Sequence, residues 1–323
     1  MIRTLSRLGL LFAVLLSVGL LTSKPAHAVV VCSDTSPALN FGTVNVSPAT
    51  GITGTGSIGY TCTNYNTTAA NFSICAGLGT PSYPGTVSQP AMAGSSSGGV
   101  LKFNLYTNAP NGIVWTTTNP ISAPVSIAGG IGNVVTGALT FYGAIPGSQT
   151  SAADSYSGSF YNMTLGFISG ISCGALTGYS GLTFTLPVTA VVSKTCTVSA
   201  GVALNIGSVP SNGTGIQGNT TIGVTCPTST PYYVGLSPSN ANLNGAGVMS
   251  STSSGTDKVP YQLRATSGTG PIWGNTATST SVGNGVAGTG TGVQQSLTVY
   301  ASLASAQYTP GSYADTVTVN VNY

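Results

Sequence analysis

The sequence predicts an all-β protein built from two β-sandwich domains, on three observations. Strong helix formers are scarce, since only 3% of the 323 residues are charged and glutamate is absent, whereas Gly (45 residues), Ser, Thr, Asn and Val abound. That balance favours strands and turns. Apolar residues nevertheless reach 41% and fall in alternating runs bounded by Gly/Pro/Asn/Ser clusters, which separates the chain from a disordered one. The chain also repeats itself: Cys32 and Cys62 are 30 apart, and so are Cys196 and Cys226, the mark of a duplicated unit.

In chain order, residues 1–28 read as a secretory signal peptide. Arg3 and Arg7 precede the apolar run Leu8 to Leu21, and "AHA" at Ala26 to Ala28 supplies a small-residue cleavage site. The run is too short to span a bilayer, so the mature chain is expected to be exported. Cleavage leaves Lys102, Lys194, Lys258 and Arg264 against Asp34, Asp154, Asp257 and Asp315, a net charge of 4 − 4 = 0. No basic patch exists to neutralise phosphates, so no nucleic-acid partner is expected. The only histidine, His27, leaves with the peptide, and no C-x₂-C spacing occurs; neither a metal nor a cofactor is expected.

The repeat sets the domains at 29–193 and 194–323. "SIGYTC" ends at Cys62 and "TIGVTC" at Cys226, and "LNFG" at Leu39 answers "LNIG" at Leu204. "LKFNLY" pairs with "VPYQLR", with Trp115 nine residues after Tyr106 and Trp273 nine after Arg264. "LTFYGAIPGSQ" pairs with "LTVYASLASAQ", each followed by a Tyr-led strand at Tyr156 and Tyr313. Exported chains keep disulfides, so Cys32–Cys62 and Cys196–Cys226 are paired by repeat symmetry and Cys75–Cys173 by elimination.

Between the two copies lies "LTFTLPVTAVVSKTC". Phe184, Leu186, Val188, Ala190 and Val192 form one apolar face, although Pro187 inside the run normally marks an edge strand. The second copy runs only to "DTVTVNVNY" and has no such strand after it. The strand at 183–192 is therefore expected to complete the first domain, leaving the second without a last strand.

Two enzyme-like matches are rejected. "GTGSIG" (Gly54 to Gly59) leads into a strand rather than a helix. "GSSSG" (Gly94 to Gly98) has no mature His or Glu to serve Ser96 as base. Asp315 is read as a turn or hydrogen-bonding residue. No catalytic activity is expected.

The cysteine pair Cys196…Cys226, "LTVY", the terminal "PGSYADTVTVNVNY" and the preceding "TFTLPVTAVVSKTC" resemble the spore coat protein U family, the subunits of archaic chaperone–usher pili. The resemblance spans nearly the whole mature chain, more closely in the second domain. In the first, the Tyr-x-Asp motif of Tyr313 and Asp315 becomes Tyr156 and Gly158. It implies immunoglobulin-like sandwiches, of which the C-terminal one is incomplete and open to a donor strand. By this resemblance the chain is a two-domain tip adhesin of a pilus (fimbria), exported through the periplasm to the cell surface and serving attachment in biofilms. The alternatives are a shaft subunit or a secreted coat protein that does not polymerise. Implied partners are a periplasmic chaperone, an outer-membrane usher and the next pilus subunit. Val317, Val319, Val321 and Tyr323 would form the face that meets chaperone or donor strand.

The segment 107–133 keeps Ile113, Ile121, Val125, Ile127 and Ile131 in a Pro/Gly/Ser context without strand alternation. Two readings stand: these residues cap the core, or they are exposed loops gripping a hydrophobic surface. Plentiful Tyr and Asn keep a glycan ligand open. Antiparallel pairing places the loops near 63–70, 107–133 and 167–182 at the far end of the first domain.

Overall fold

Runs in which every second residue is large and apolar build strands throughout, and glycines let aromatic rings lie flat on neighbouring strands. A Cβ on Gly56 would come within 2.2 Å of the Phe141 ring, and one on Gly288 within 2.2 Å of the Tyr232 ring, so only glycine admits these close approaches. The structure, a computed structural model, describes residues 30–46, 50–168, 173, 181–253 and 255–323; the expected signal peptide lies outside them.

The first half holds β1 (Val30–Asp34), β2 (Leu39–Val44), β3 (Ile52–Asn64), β4 (Ala70–Gly77), β5 (Thr80–Pro81), β6 (Ala91–Gly94), β7 (Val100–Lys102), β8 (Asn104–Tyr106), β9 (Ile121–Ile127), β10 (Asn133–Ile145), β11 (Asp154–Ile168) and β12 (Leu182–Val192). One sheet runs β1-β3-β10-β8 and the other β2-β12-β11-β4-β9, with β5 and β6 continuing β4's side of β11. The second half holds β13 (Thr197–Ser199), β14 (Thr214–Thr225), β15 (Pro231–Pro238), β16 (Ala246–Ser251), β17 (Lys258–Arg264), β18 (Val286–Thr289), β19 (Gln295–Ser305), β20 (Tyr313–Ala314) and β21 (Val317–Asn322). Its sheets run β13-β14-β19-β17-β16-β20 and β18-β15-β21. The fold is all-β, and each half closes over its own hydrophobic core.

The two tryptophans anchor equivalent places. Trp115 Nε1 donates to Ala76 O (3.0 Å) and Trp273 Nε1 to Val234 O (2.8 Å), each across 39 residues. Both rings are buried, and a buried indole N–H needs such a partner. Disulfides join Cys32 to Cys62, Cys75 to Cys173 and Cys196 to Cys226. The first is a cross-strand link between β1 and β3, whose cysteines face each other in register.

One sequence expectation fails here. Residues 121–127 were expected to lack strand alternation, yet they form β9, paired with β4 from Ile121 opposite Ala76 to Ile127 opposite Ala70. Ser and Pro occupy its outward positions and the large residues its inward ones, which is strand alternation despite the turn-like composition. Pro124 is accommodated because β9 is the edge of its sheet.

Candidate functional site

The strand β12 fills a groove in the first half. It runs antiparallel to β11, from Leu182 opposite Leu165 to Val192 opposite Asp154, and parallel to β2 on its other side. Leu186, Val188, Ala190 and Val192 are buried and Phe184 is half-buried against the same core. Pro187 is tolerated for a visible reason: the β2 ladder begins only at Val188 opposite Leu39, so up to Pro187 that side of β12 is an edge. Opposite Ala190 lies Tyr156, fully covered, with its hydroxyl donating to Ala152 O at 2.9 Å.

The same place in the second half is open. There β21 pairs with β15, from Val317 opposite Pro238 to Asn322 opposite Tyr233. Among the described residues no strand lies along its other edge. Val317, Val319 and Val321 are half-buried against the second core, and Tyr323 is 43% exposed. "LNFG" in the first half belongs to β2 and bonds β12, but "LNIG" at Leu204 to Gly207 enters no ladder. A cavity of about 580 Å³ opens between that segment and residues 308–313, lined by Leu204, Ile206, Ile216, Met249, Tyr308 and Tyr313. Tyr313 repeats the bond of Tyr156, its hydroxyl donating to Thr309 O at 2.6 Å, but it is half-exposed because nothing covers it.

One polar pair sits beside this opening. Tyr261 donates its hydroxyl to Asp315 Oδ2 at 2.6 Å, and Thr316 N donates to Oδ1 at 2.8 Å. Burial works against ionisation of Asp315, but hydrogen bonds from Ser239, Tyr261 and Thr316 outweigh it and hold the carboxyl below its usual range. Burial, then the neighbouring carboxylate, pushes the Tyr261 hydroxyl up.

The end of the first half remote from the second carries a different surface. The near end is fixed by Ala152, which bridges Thr228, and by Thr228 Oγ1, which donates to Thr150 O. At the opposite end Asn64, itself buried, donates to Thr68 O (2.9 Å) and Ala128 O (3.0 Å), and Gly130 N and Gly132 N donate to Asn66 O and Asn64 O. Asn64 thus ties the loops 65–69 and 128–132 together. Ile131 (73%) and Tyr65 are exposed there. Ile113 and Val114, also exposed, lie elsewhere than expected for the 107–133 loop, because Val114 bridges Tyr106, which faces Tyr142 close to the near end of β10. Ile121, Val125 and Ile127, expected as surface-binding candidates, are instead buried on the inward face of β9. Of the five candidates only Ile113 and Ile131 face solvent. Loop 167–182 falls largely outside the described residues.

A family model for the spore coat protein U domain matches residues 18–161 and again 182–320.

The chain belongs to the spore coat protein U domain family.

Among solved structures, the chain is similar to one in the CsuC–CsuE chaperone–tip adhesion subunit pre-assembly complex from archaic chaperone–usher Csu pili of Acinetobacter baumannii. The TM-score is 0.51 at 17% identity, over 91% of this chain and 100% of that one. It is also matched to CfaE, the adhesive subunit of CFA/I fimbria of enterotoxigenic Escherichia coli, at a TM-score of 0.31 and 9% identity, over 90% and 93% of the two chains. No curated protein matches the sequence.

As a spore coat protein U domain chain, the protein is structural rather than catalytic, and its enzyme-like motifs have structural explanations. "GTGSIG" lies along β3. "GSSSG" wraps a carboxylate: the N–H groups of Ser96 and Ser97 donate to Asp154 Oδ2 (2.8 and 2.7 Å), Ser95 Oγ to Oδ1 and Ser97 Oγ to Oδ2 (both 2.8 Å). Those donors, the backbone N–H groups first, hold Asp154 well below the usual carboxylate range. Among the described residues no three His, Cys, Asp or Glu side chains form a cluster able to hold a metal ion.

The sequence missed Asn64 and Tyr261. "CTNYN" and "VPYQL" carry no sign that an amide would stitch two loops or a hydroxyl meet Asp315.

Proposed function

We propose that the protein is the tip subunit, an adhesin, of an archaic chaperone–usher pilus. One observation carries the reading: equivalent grooves in the two halves differ, one filled by the chain's own β12, the other open along β21. A strand spent inside its own chain is not available to another subunit, whereas the open groove can receive one. An apolar trough beside a strand with unpaired N–H and C=O groups is an aggregation hazard until another chain supplies the missing strand. A periplasmic chaperone would cover it first, and the next pilus subunit would replace the chaperone at the outer-membrane usher. The domains would then be 29–193, completed by 183–192, and 194–323, with export through the periplasm and display at the cell surface.

A subunit that accepts but does not donate occupies one end of a fibre, so its first half points outward. The exposed Ile131 and Tyr65 lie at that outward end, and burying them against an apolar surface would contribute about 25 cal/mol per Å². Many pili on one cell would add such weak grips together. The reading is tested by producing the mature chain in a periplasm with and without a co-expressed chaperone of an archaic chaperone–usher system. We expect a soluble one-to-one complex with the chaperone and aggregation or degradation without it. A stable monomer that ignores the chaperone would sink the reading.

A further inference from the structure

The two grooves can be compared position by position. The tryptophan bonds make Ala76 and Val234 equivalent, and Leu165 and Val321 lie opposite them. At the other end, Tyr156 lies opposite Gly94 and Tyr313 opposite Ser251, and both tyrosines bond the carbonyl four residues back. Between these anchors the first half has one extra residue, absorbed at the irregularity between Phe160 and Met163. Gly158 therefore corresponds to Asp315. Leu101 lies opposite Met92 and Val259 opposite Met249, so Phe103 corresponds to Tyr261.

The centre of the groove has thus been exchanged as a pair. In the filled groove Gly158 faces Val188, which is 0% exposed in a core containing Met92 and Phe103. Gly158 has little room to spare: a Cβ there would stand 3.1 Å from Ala91 O and 3.4 Å from Met92 Cγ. In the open groove the same place holds a carboxylate gripped by Tyr261 and Thr316. Directly opposed residues on neighbouring strands have their Cβ atoms about 5 Å apart. A valine arriving opposite Asp315 would meet a side chain where Val188 meets bare backbone, and would strip water from a charge. Since Asp315 already has donors, a strand need only avoid it, and a small uncharged residue does so.

We propose that the Tyr261–Asp315 pair makes the open groove selective: it accepts a strand with Gly, Ala or Ser opposite Asp315 and turns away this chain's own β12, which carries Val188 there. The pair would thereby keep copies of this subunit from completing one another. This rests on the donor-strand reading above.

The test appends a strand to the mature chain through a short turn after Tyr323, where a strand antiparallel to β21 would begin. One version copies residues 182–192, and the other copies them with V188G; each is also made in the Asp315→Gly chain. Trp273 fluorescence in a Trp115→Phe background follows melting of the second half. With Asp315 present, the V188G strand should raise that transition by about 5–10 °C more than the unaltered strand, although glycine is the poorer strand residue. With Asp315→Gly the preference should vanish or reverse. An unaltered strand that protects the Asp315 chain as well as V188G does would overturn the selectivity. If neither strand moves the transition in either chain, the groove does not take a strand, and both readings fall. The two strands in the Asp315 chain decide the matter even if Asp315→Gly fails to fold.

Discussion

Val188→Asp puts a carboxylate at a fully enclosed point of β12, a site with 0% exposure opposite Gly158. The new group can escape burial of its charge only by protonating. Against an ordinary carboxyl pKa near 3.9, that costs about 1.36 × 3, or ~4 kcal/mol, at pH 7. Losing the valine's burial adds about 1.5 kcal/mol, and an unsatisfied carboxyl about 1–3. The sum, roughly 7 kcal/mol, rivals the whole stability of an ordinary domain. The first half should therefore be unfolded at pH 7, as read by Trp115 fluorescence in a Trp273→Phe background. The folded-state pKa is raised, so the charge-related part of the loss fades as pH falls towards 4, and stability should partly return there. Val188→Asn should lack that recovery. A Val188→Asp chain that melts like the parent at pH 7 would refute the placement of β12 in the core.

Three further expectations follow from the same geometry. Removing the last five residues, and with them Val319, Val321 and Tyr323, should abolish recovery of a chaperone complex by affinity pull-down, whereas an intact complex would place the contact elsewhere. Changing Tyr65 and Ile131 together to Asn should lower attachment to a hydrophobic plate several-fold, with piliation and melting unchanged and little dependence on salt, because the mature chain is nearly free of charge; Ile121→Asn with Ile127→Asn should instead destabilise the first half by several kcal/mol. The Asp315 carboxyl is held below its usual range by its donors, so its contribution is present above pH ~4 and lost as pH falls through its folded-state value; Asp315→Asn should flatten the acid limb of the second-half melting profile, read with Trp273.

What the sequence conveyed was governed by periodicity. The alternation of Phe184 to Val192 and the cysteine and tryptophan repeats fix strands and equivalences that the structure displays, because a period of two has one physical meaning on a pleated backbone. The loop segment at 107–133 misled because its hydrophobic count was legible but its register was not: with Ser122, Pro124 and Ser126 between them, Ile121, Val125 and Ile127 are a strand's inner face. Pro187 misled less, since the edge it requires exists locally where β2 has not yet joined. Asn64 and the Tyr261–Asp315 pair were invisible because each depends on a partner far along the chain, Ala128 at 64 residues from Asn64 and Asp315 at 54 from Tyr261. The exchange of Gly158 for Asp315 could be read as a departure from repeat symmetry, but its effect on the groove required the partner Tyr261.

Position in the fibre tests the account most directly. Pili assembled from the chain with its chaperone, usher and shaft subunit would be labelled with gold-bound antibody against residues 30–168 and viewed by electron microscopy. An acceptor whose own strand is spent on itself should give a single gold cluster at the free end of each fibre. Gold spaced along the shafts, or fibres that form normally without any labelled end, would contradict it.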